Sequence, residues 1–168
     1  MLSQEKMTRL FGTSRQRVYE VLSFAGLVAS IVILLVNWSR LPDVVPIHFN
    51  LRGEPDGWAG RASMIVLPSV ALFVYLVCAV ATFLPERFIN VPRGVPVQIG
   101  YELCQCMKME AVWLFVVLEW ATIQVALDNQ KSLGAAFLFV ALFIIFLTLV
   151  VYLIHMLRVR RIIRQGGI

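Results

Sequence analysis

The chain has 168 residues, 60% of them hydrophobic and 15% charged, with a mean hydropathy of +0.81. Soluble domains carry about 25% charged residues, so this composition excludes an ordinary water-soluble globule and leaves no length for a separate soluble domain. The net charge of +5 does not argue for nucleic acid, because the basic residues flank apolar runs, and Cys78, Cys104 and Cys106 are too few and too dispersed for a disulfide framework.

In chain order, a polar lead comes first. No small-residue cleavage site follows the first apolar run, which therefore reads as a retained span rather than a removed signal. Spans are predicted at about 18–38, 64–84, 111–127 and 133–157, each near the roughly 20 residues a helix needs to cross the hydrocarbon. Span three is the shortest and least apolar, and is expected to continue a helix that begins near Gln98. Pro68 falls in the first turns of span two, where a missing N–H costs least. Ser63 is placed to cap that helix. The connection over 85–110 holds Pro85, Pro92, Gly94 and Pro96 and should break the helix near Leu84. The short link between spans three and four makes them an antiparallel helical hairpin. The expected fold is a single all-α membrane domain over residues 1–168.

Orientation follows from Lys and Arg in the connections. Lys6, Arg9, Arg15 and Arg17 lie before span one. Arg87, Arg93 and Lys108 lie between spans two and three, and Arg158, Arg160, Arg161 and Arg164 follow span four. These eleven outnumber Arg40, Arg52, Arg61 and Lys131 on the opposite side. Both termini are therefore expected in the cytoplasm. The 41–61 loop and the 128–132 turn should face out, with Trp38, Phe49 and Trp58 near the outer interface.

The loop LPDVVPIHFNLRGEPDGWAGR, residues 41–61, is the most specified stretch of the chain. Pro42 and Pro46 fix φ and push their predecessors toward extended geometry, so 41–48 should be extended. Asn50 to Gly53 reads as a turn, and Pro55-Asp56-Gly57 as a second one. The product would be a compact, double-turned hairpin on the membrane surface. His48, Asn50, Glu54, Asp56 and Arg61 give it convergent polar groups, either as an outward recognition site or as local turn chemistry that satisfies the backbone. One histidine with two carboxylates is not a closed zinc set, and no metal site is expected.

The run Leu41-Pro42, Pro46, His48-Phe49-Asn50 and Gly53-Glu54-Pro55-Asp56-Gly57-Trp58 resembles the signature loop of the DUF1648 family. The best-known members of that family are the SdpI-type bacterial immunity proteins. The resemblance covers about 24–70, close to the pattern LPxxxPxHFNxxGEPDGYxxK. Trp58 stands at the usual Tyr and Arg61 at the common Lys. Phe88 to Pro92 is similar in kind to a segment after the second span of relatives, and nothing in span four is recognisable. The resemblance implies a bacterial cytoplasmic-membrane protein with a structural role for Pro42, Pro46, Gly53, Pro55, Gly57 and Trp58. It also implies toxin immunity. Larger members of that group carry further spans that this chain lacks.

Within the spans, Glu119 stands out, because a charge at mid-helix costs about 2.5–3.5 kcal/mol on translocon scales. It should be protonated, paired or beside water, with Ser30, Thr148, Tyr152 or a second copy as candidate partners. It is either a proton- or ligand-binding carboxyl or a hydrogen-bonding tie between helices. Lys108 and Glu110 read as interfacial groups that snorkel, and His155 as an interface residue. Cys104 and Cys106 point to opposed helix faces and form no CxxC motif.

No nucleophile–base pair, phosphate loop or cofactor fingerprint is present, so neither an enzyme nor a cofactor is expected. Three functions are compatible with the sequence. The first is SdpI-like immunity to a membrane-active peptide toxin, or protection against envelope stress, through the outer loop. The second is a small accessory subunit of a larger membrane complex. The third is a proton-linked small transporter built on Glu119. Expected partners are the lipid bilayer, and with it a peptide toxin, other membrane subunits or a second copy of the chain.

Overall fold

Lipid offers no hydrogen bonds to a backbone, so an apolar run that enters it must satisfy its own amides, and a helix does so within one segment. That constraint overrides the weak helix preference of the Val- and Ile-rich stretches here. The computed structural model describes residues 14–83, 89–93 and 95–165. Its helices are α1 (Ser14–Asn37), α2 (Val66–Phe83), α3 (Val97–Ala126) and α4 (Ala135–Gln165). A 3-10 turn, Arg61–Ile65, leads directly into α2. Among the described residues, four helices are long and apolar enough to cross a membrane, so the chain is a multi-pass, mostly helical membrane protein. The expected break at Leu84 and Pro85, with Gly94, Phe88 and the cations Lys6, Arg9 and Arg87, lies outside the described residues.

The third helix begins at Val97, as the sequence suggested from Gln98. At about 1.5 Å per residue its 30 residues exceed the hydrocarbon thickness, so its first turns serve the membrane boundary. The fourth runs past the expected end at 157, through the arginines of the tail, to Gln165. Pro68 is the third residue of α2, where it breaks no internal bond.

α3 is the centre of the bundle and packs on α1 and α2 along most of its length. One apolar layer, Leu27, Ala71, Val112 and Val116, joins the three helices at mid-depth. A second, Leu34, Leu41, Val45, Met64, Ile123 and Ala126, closes the end that carries the 41–61 segment. α4 makes a narrower contact with α3 and leaves Phe139, Phe143 and Phe146 exposed on its outer face. In a bilayer those rings meet lipid.

The 41–61 segment is the hairpin expected between the helical spans, extended along its first strand as its prolines suggested. It forms a two-stranded antiparallel hairpin, β1 (Val44–Phe49) and β2 (Pro55–Gly60). The turn expected at Asn50–Gly53 is present: Gly53 N donates to Asn50 O at 2.8 Å, and Gly53 has φ +76°. The second turn, expected at Pro55–Gly57, is not. Those residues lie in β2, and pairing with β1 absorbs their kinks as register irregularities beside Pro46, His48 and Phe49. Ser63 does not cap α2 either. Its hydroxyl donates back to Gly60 O at the start of the 3-10 turn, and Gly60, the N-cap of that turn, receives no side-chain cap bond.

α1 approaches α3 closely at Gly26, where an added Cβ would sit 2.8 Å from Val112 Cγ1. Overpacking of this kind costs about 1–3 kcal/mol. Gly26→Val should therefore lower the melting temperature of the detergent-purified protein, and Gly26→Ser should lower it less.

Candidate functional site

Two groups of polar residues survive folding as site candidates, one on the hairpin and one between the helices.

The hairpin is held as a rigid piece. Asn50 organises its tip: Oδ1 accepts from the Arg52 and Glu54 amides at 2.8 and 3.1 Å, and Nδ2 donates to Glu54 Oε2 at 3.0 Å. At the base, the Arg61 amide donates to Asp43 O at 2.9 Å, and its guanidinium pairs with the Asp43 carboxylate. Gly57 faces His48 across the strands, and a Cβ there would lie 2.8 Å from His48 Cβ, so only glycine permits that approach. Gly53 is constrained twice, by its positive φ and by the backbone of Gly134, 2.9 Å from where its Cβ would be. The Leu133 amide donates to Gly53 O at 2.8 Å. The tip of the hairpin is thereby bonded to the α3–α4 connection, which places both at one end of the bundle.

That connection is itself fixed by a helix stop. Asp128, at φ 57°, follows α3, and the Asp128 and Asn129 amides return to Val125 O and Gln124 O at 3.1 and 2.9 Å. This is the paired closure that satisfies the last carbonyls of a helix.

Of the proposed binding residues, Asn50 and Arg61 spend their polar groups inside the hairpin. Glu54 is exposed and tied to Asn50. His48 and Asp56 form a cross-strand pair, Nδ1 to Oδ1 at 2.5 Å, with the His48 side chain 71% exposed. Pro46 is buried beneath them, while Pro42 and Trp58 are exposed and Pro55 is half-buried. Val44, Ile47 and Leu51 are exposed as well, a pattern that strand alternation does not give, because Val45 and Pro46 are both buried and Leu51 lies in the turn. Between β1 and the adjoining ends of α2 and α3 lies a crevice of about 320 Å³, lined by Ile47, Phe49, Met64, Leu67, Leu118 and Thr122 among others.

Inside the bundle, Glu119 is fully buried and its Oε2 accepts from the Ser30 hydroxyl of α1. Ser30 was one of the expected partners. Thr148 instead donates to Glu110 Oε1, at 2.5 Å. The second oxygen of Glu119 has no partner among the described residues. The pair lies between the two apolar layers, in the stripe Val112, Val116, Glu119, Ile123 of α3.

Lys108 corrects the sequence reading most. It does not snorkel. It is fully buried and its ammonium pairs with Glu20 of α1. The Tyr75 hydroxyl of α2 donates to the other Glu20 oxygen at 2.5 Å, and Lys108 Nζ lies 4.6 Å from the centroid of the Tyr75 ring. Glu110 faces α4 rather than the membrane boundary. Arg15 and Glu102 pair nearby at 3.1 Å. Three helices thus meet at one ammonium group, which no periodicity in the sequence announces. His155, by contrast, is exposed. The described residues contain no group of three metal-ligating side chains.

Part of the chain is similar to the DUF1648 family. That family's model, described as a domain of unknown function, matches residues 25–73. The DUF1648 segment therefore runs from the middle of α1, through the hairpin, to the middle of α2. It contains Ser30, His48 and Asp56 but neither Glu119 nor Lys108. The chain is also 36% identical over 56 residues to an uncharacterized protein of Archaeoglobus fulgidus. The match covers 33% of this chain and 31% of that relative, so the chain spans about a third of the length of the relative it matches. No solved structure matches.

Two outcomes follow from this geometry. Gly53→Ala combines a left-handed backbone, costing about 1–2 kcal/mol, with a clash at Gly134. It should speed hydrogen exchange at the Leu133 amide while the helices keep their protection. Lys108→Ala removes a buried cation shared by three helices and should lower the melting temperature in detergent far more than Arg15→Ala. Arg15 is mostly exposed, and such pairs are worth little.

Proposed function

We propose that this chain is an SdpI-like, non-enzymatic protein of the bacterial cytoplasmic membrane that protects against a membrane-active peptide toxin, with the hairpin as its recognition surface. In this reading both termini are cytoplasmic and the hairpin faces out, as the distribution of Lys and Arg favours.

The observation that carries the proposal is the hairpin's composite surface. A rigid β-hairpin, bonded at its tip to the α3–α4 connection, presents the His48–Asp56 pair beside exposed Val44, Ile47, Leu51 and Trp58. Such a surface suits an amphipathic peptide lying on the bilayer. Its polar groups meet His48 and Asp56, and an apolar side chain enters the crevice under β1. Preorganisation matters because a binder that is already rigid loses less entropy on association. The apolar layers on either side of Glu119 give little support to a proton-linked transporter, which needs a polar path.

The test is protection of susceptible cells. Cells carrying the wild-type protein are challenged with membrane-active peptides beside cells carrying His48→Ala or Asp56→Ala at equal expression. A hydrogen bond to a charged group is worth about 1.5–3 kcal/mol, so each variant should lose at least about tenfold in protective affinity. Glu119→Gln, which keeps a side chain able to bond Ser30, should protect like wild type. Protection that is indifferent to both hairpin variants would sink the recognition role. Purification with a stoichiometric set of unrelated subunits would make the chain an accessory component instead.

A further inference from the structure

The sequence spaces Cys78 and Cys104 26 residues apart, on different helices, with no motif joining them. Folding brings them together. Cys104 Sγ lies 4.0 Å from the Cys78 carbonyl oxygen, which puts the two cysteines in contact between α2 and α3. Both are free and only half-buried. Cys106 is buried and directed elsewhere, with Sγ 3.9 Å from Glu110 Oε1.

Lys108 lies one helical turn beyond Cys104 on α3, with its ammonium paired to Glu20. Both cysteines are partly accessible, as reactive cysteines are. Two cysteines in contact across a helix–helix interface meet the first requirement of a disulfide, a short separation. The pair lies at the opposite end of the bundle from the hairpin, in the turns of α2 and α3 next to the segment that connects them.

We propose that Cys78 and Cys104 are a redox modification site, a dithiol that a small-molecule disulfide converts to an intramolecular disulfide tying α2 to α3. One protein thiolate attacks the oxidant disulfide, forms a mixed disulfide and releases the first small thiol. The second protein thiolate then attacks the protein sulfur of that mixed disulfide and expels the second small thiol. Two protein thiols are oxidised, one oxidant disulfide is reduced to two thiols, and the two protons pass from the protein thiols to the released ones. The linked state locks the α2–α3 contact beside the Lys108–Glu20–Tyr75 cluster. This site is independent of the hairpin and of any toxin.

The experiment equilibrates native membranes containing the full chain in glutathione buffers of increasing disulfide content. Free thiols are then alkylated, and the linkages are read by peptide mass spectrometry. The expected result is a Cys78–Cys104 link within single chains, with Cys106 recovered alkylated or unmodified. Cys106→Ala should leave the link intact. Cys104→Ser should trap glutathione on Cys78, because the resolving thiol is gone. Oxidised wild type should also melt at a higher temperature than reduced wild type, and the difference should vanish in Cys104→Ser. Independent glutathionylation of both cysteines without a link, or links only between chains, would overturn the proposal. So would persistence of both free thiols at the most oxidising ratio.

Discussion

A fully buried ammonium group holds this bundle in register. Lys108 is fully enclosed by protein. Its charge is tolerable only if Glu20 of α1 pairs with it and the Tyr75 ring of α2 lies against it. An uncompensated buried charge is costly enough to dominate a helix's choice of neighbours. Apolar faces in a bilayer discriminate poorly between partners, since lipid tails are as apolar as leucine. The ion pair therefore decides which faces of α1, α2 and α3 meet, and the apolar layer of Leu27, Ala71, Val112 and Val116 packs in the register it sets.

The hairpin extends that order out of the bundle. Leu41 and Val45 root it in the layer formed with Leu34, Met64 and Ile123. The Leu133–Gly53 hydrogen bond then ties its tip to a second connection. Two anchors at opposite ends make a rigid surface from a pair of strands that would be marginal alone. Much of the polar density in this loop goes into building it. Asn50, Glu54, Asp43 and Arg61 bond within the hairpin, and the exposed His48–Asp56 pair spans its two strands.

Glu119 occupies a different kind of place. It is enclosed by apolar layers on both sides and held by one serine from a neighbouring helix. A carboxyl that makes one bond across a helix interface specifies alignment more readily than it conducts anything. The family segment supplies Ser30, and the helix outside that segment supplies Glu119. Cys78 and Cys104 both lie outside the matched residues. The residues that match the family model thus supply one side of the Ser30–Glu119 contact, and the rest of the chain supplies the other.

How much of this was legible in the sequence depends on the range of the interaction involved. Four spans, the early start of α3, the turn at Asn50–Gly53 and the helix stop near Asp128 follow from local apolar length, proline placement and turn chemistry, because lipid and backbone sterics act residue by residue. Glycines 53 and 57 were legible as special, but the reason for each came from a partner strand or loop. The Pro55–Gly57 stretch misled, since its residues favour a turn in isolation and cross-strand pairing with β1 draws them into β2 instead. Lys108 misled for the same reason. From its position it belonged at the membrane boundary, and only the convergence of Glu20 and Tyr75, distant in sequence, makes its burial tolerable. The sequence alone determined that this is a four-span membrane chain with one ordered loop. Tertiary structure decided which polar groups meet, because charge pairing and cysteine contact depend on separations in space that spacing along the chain does not encode.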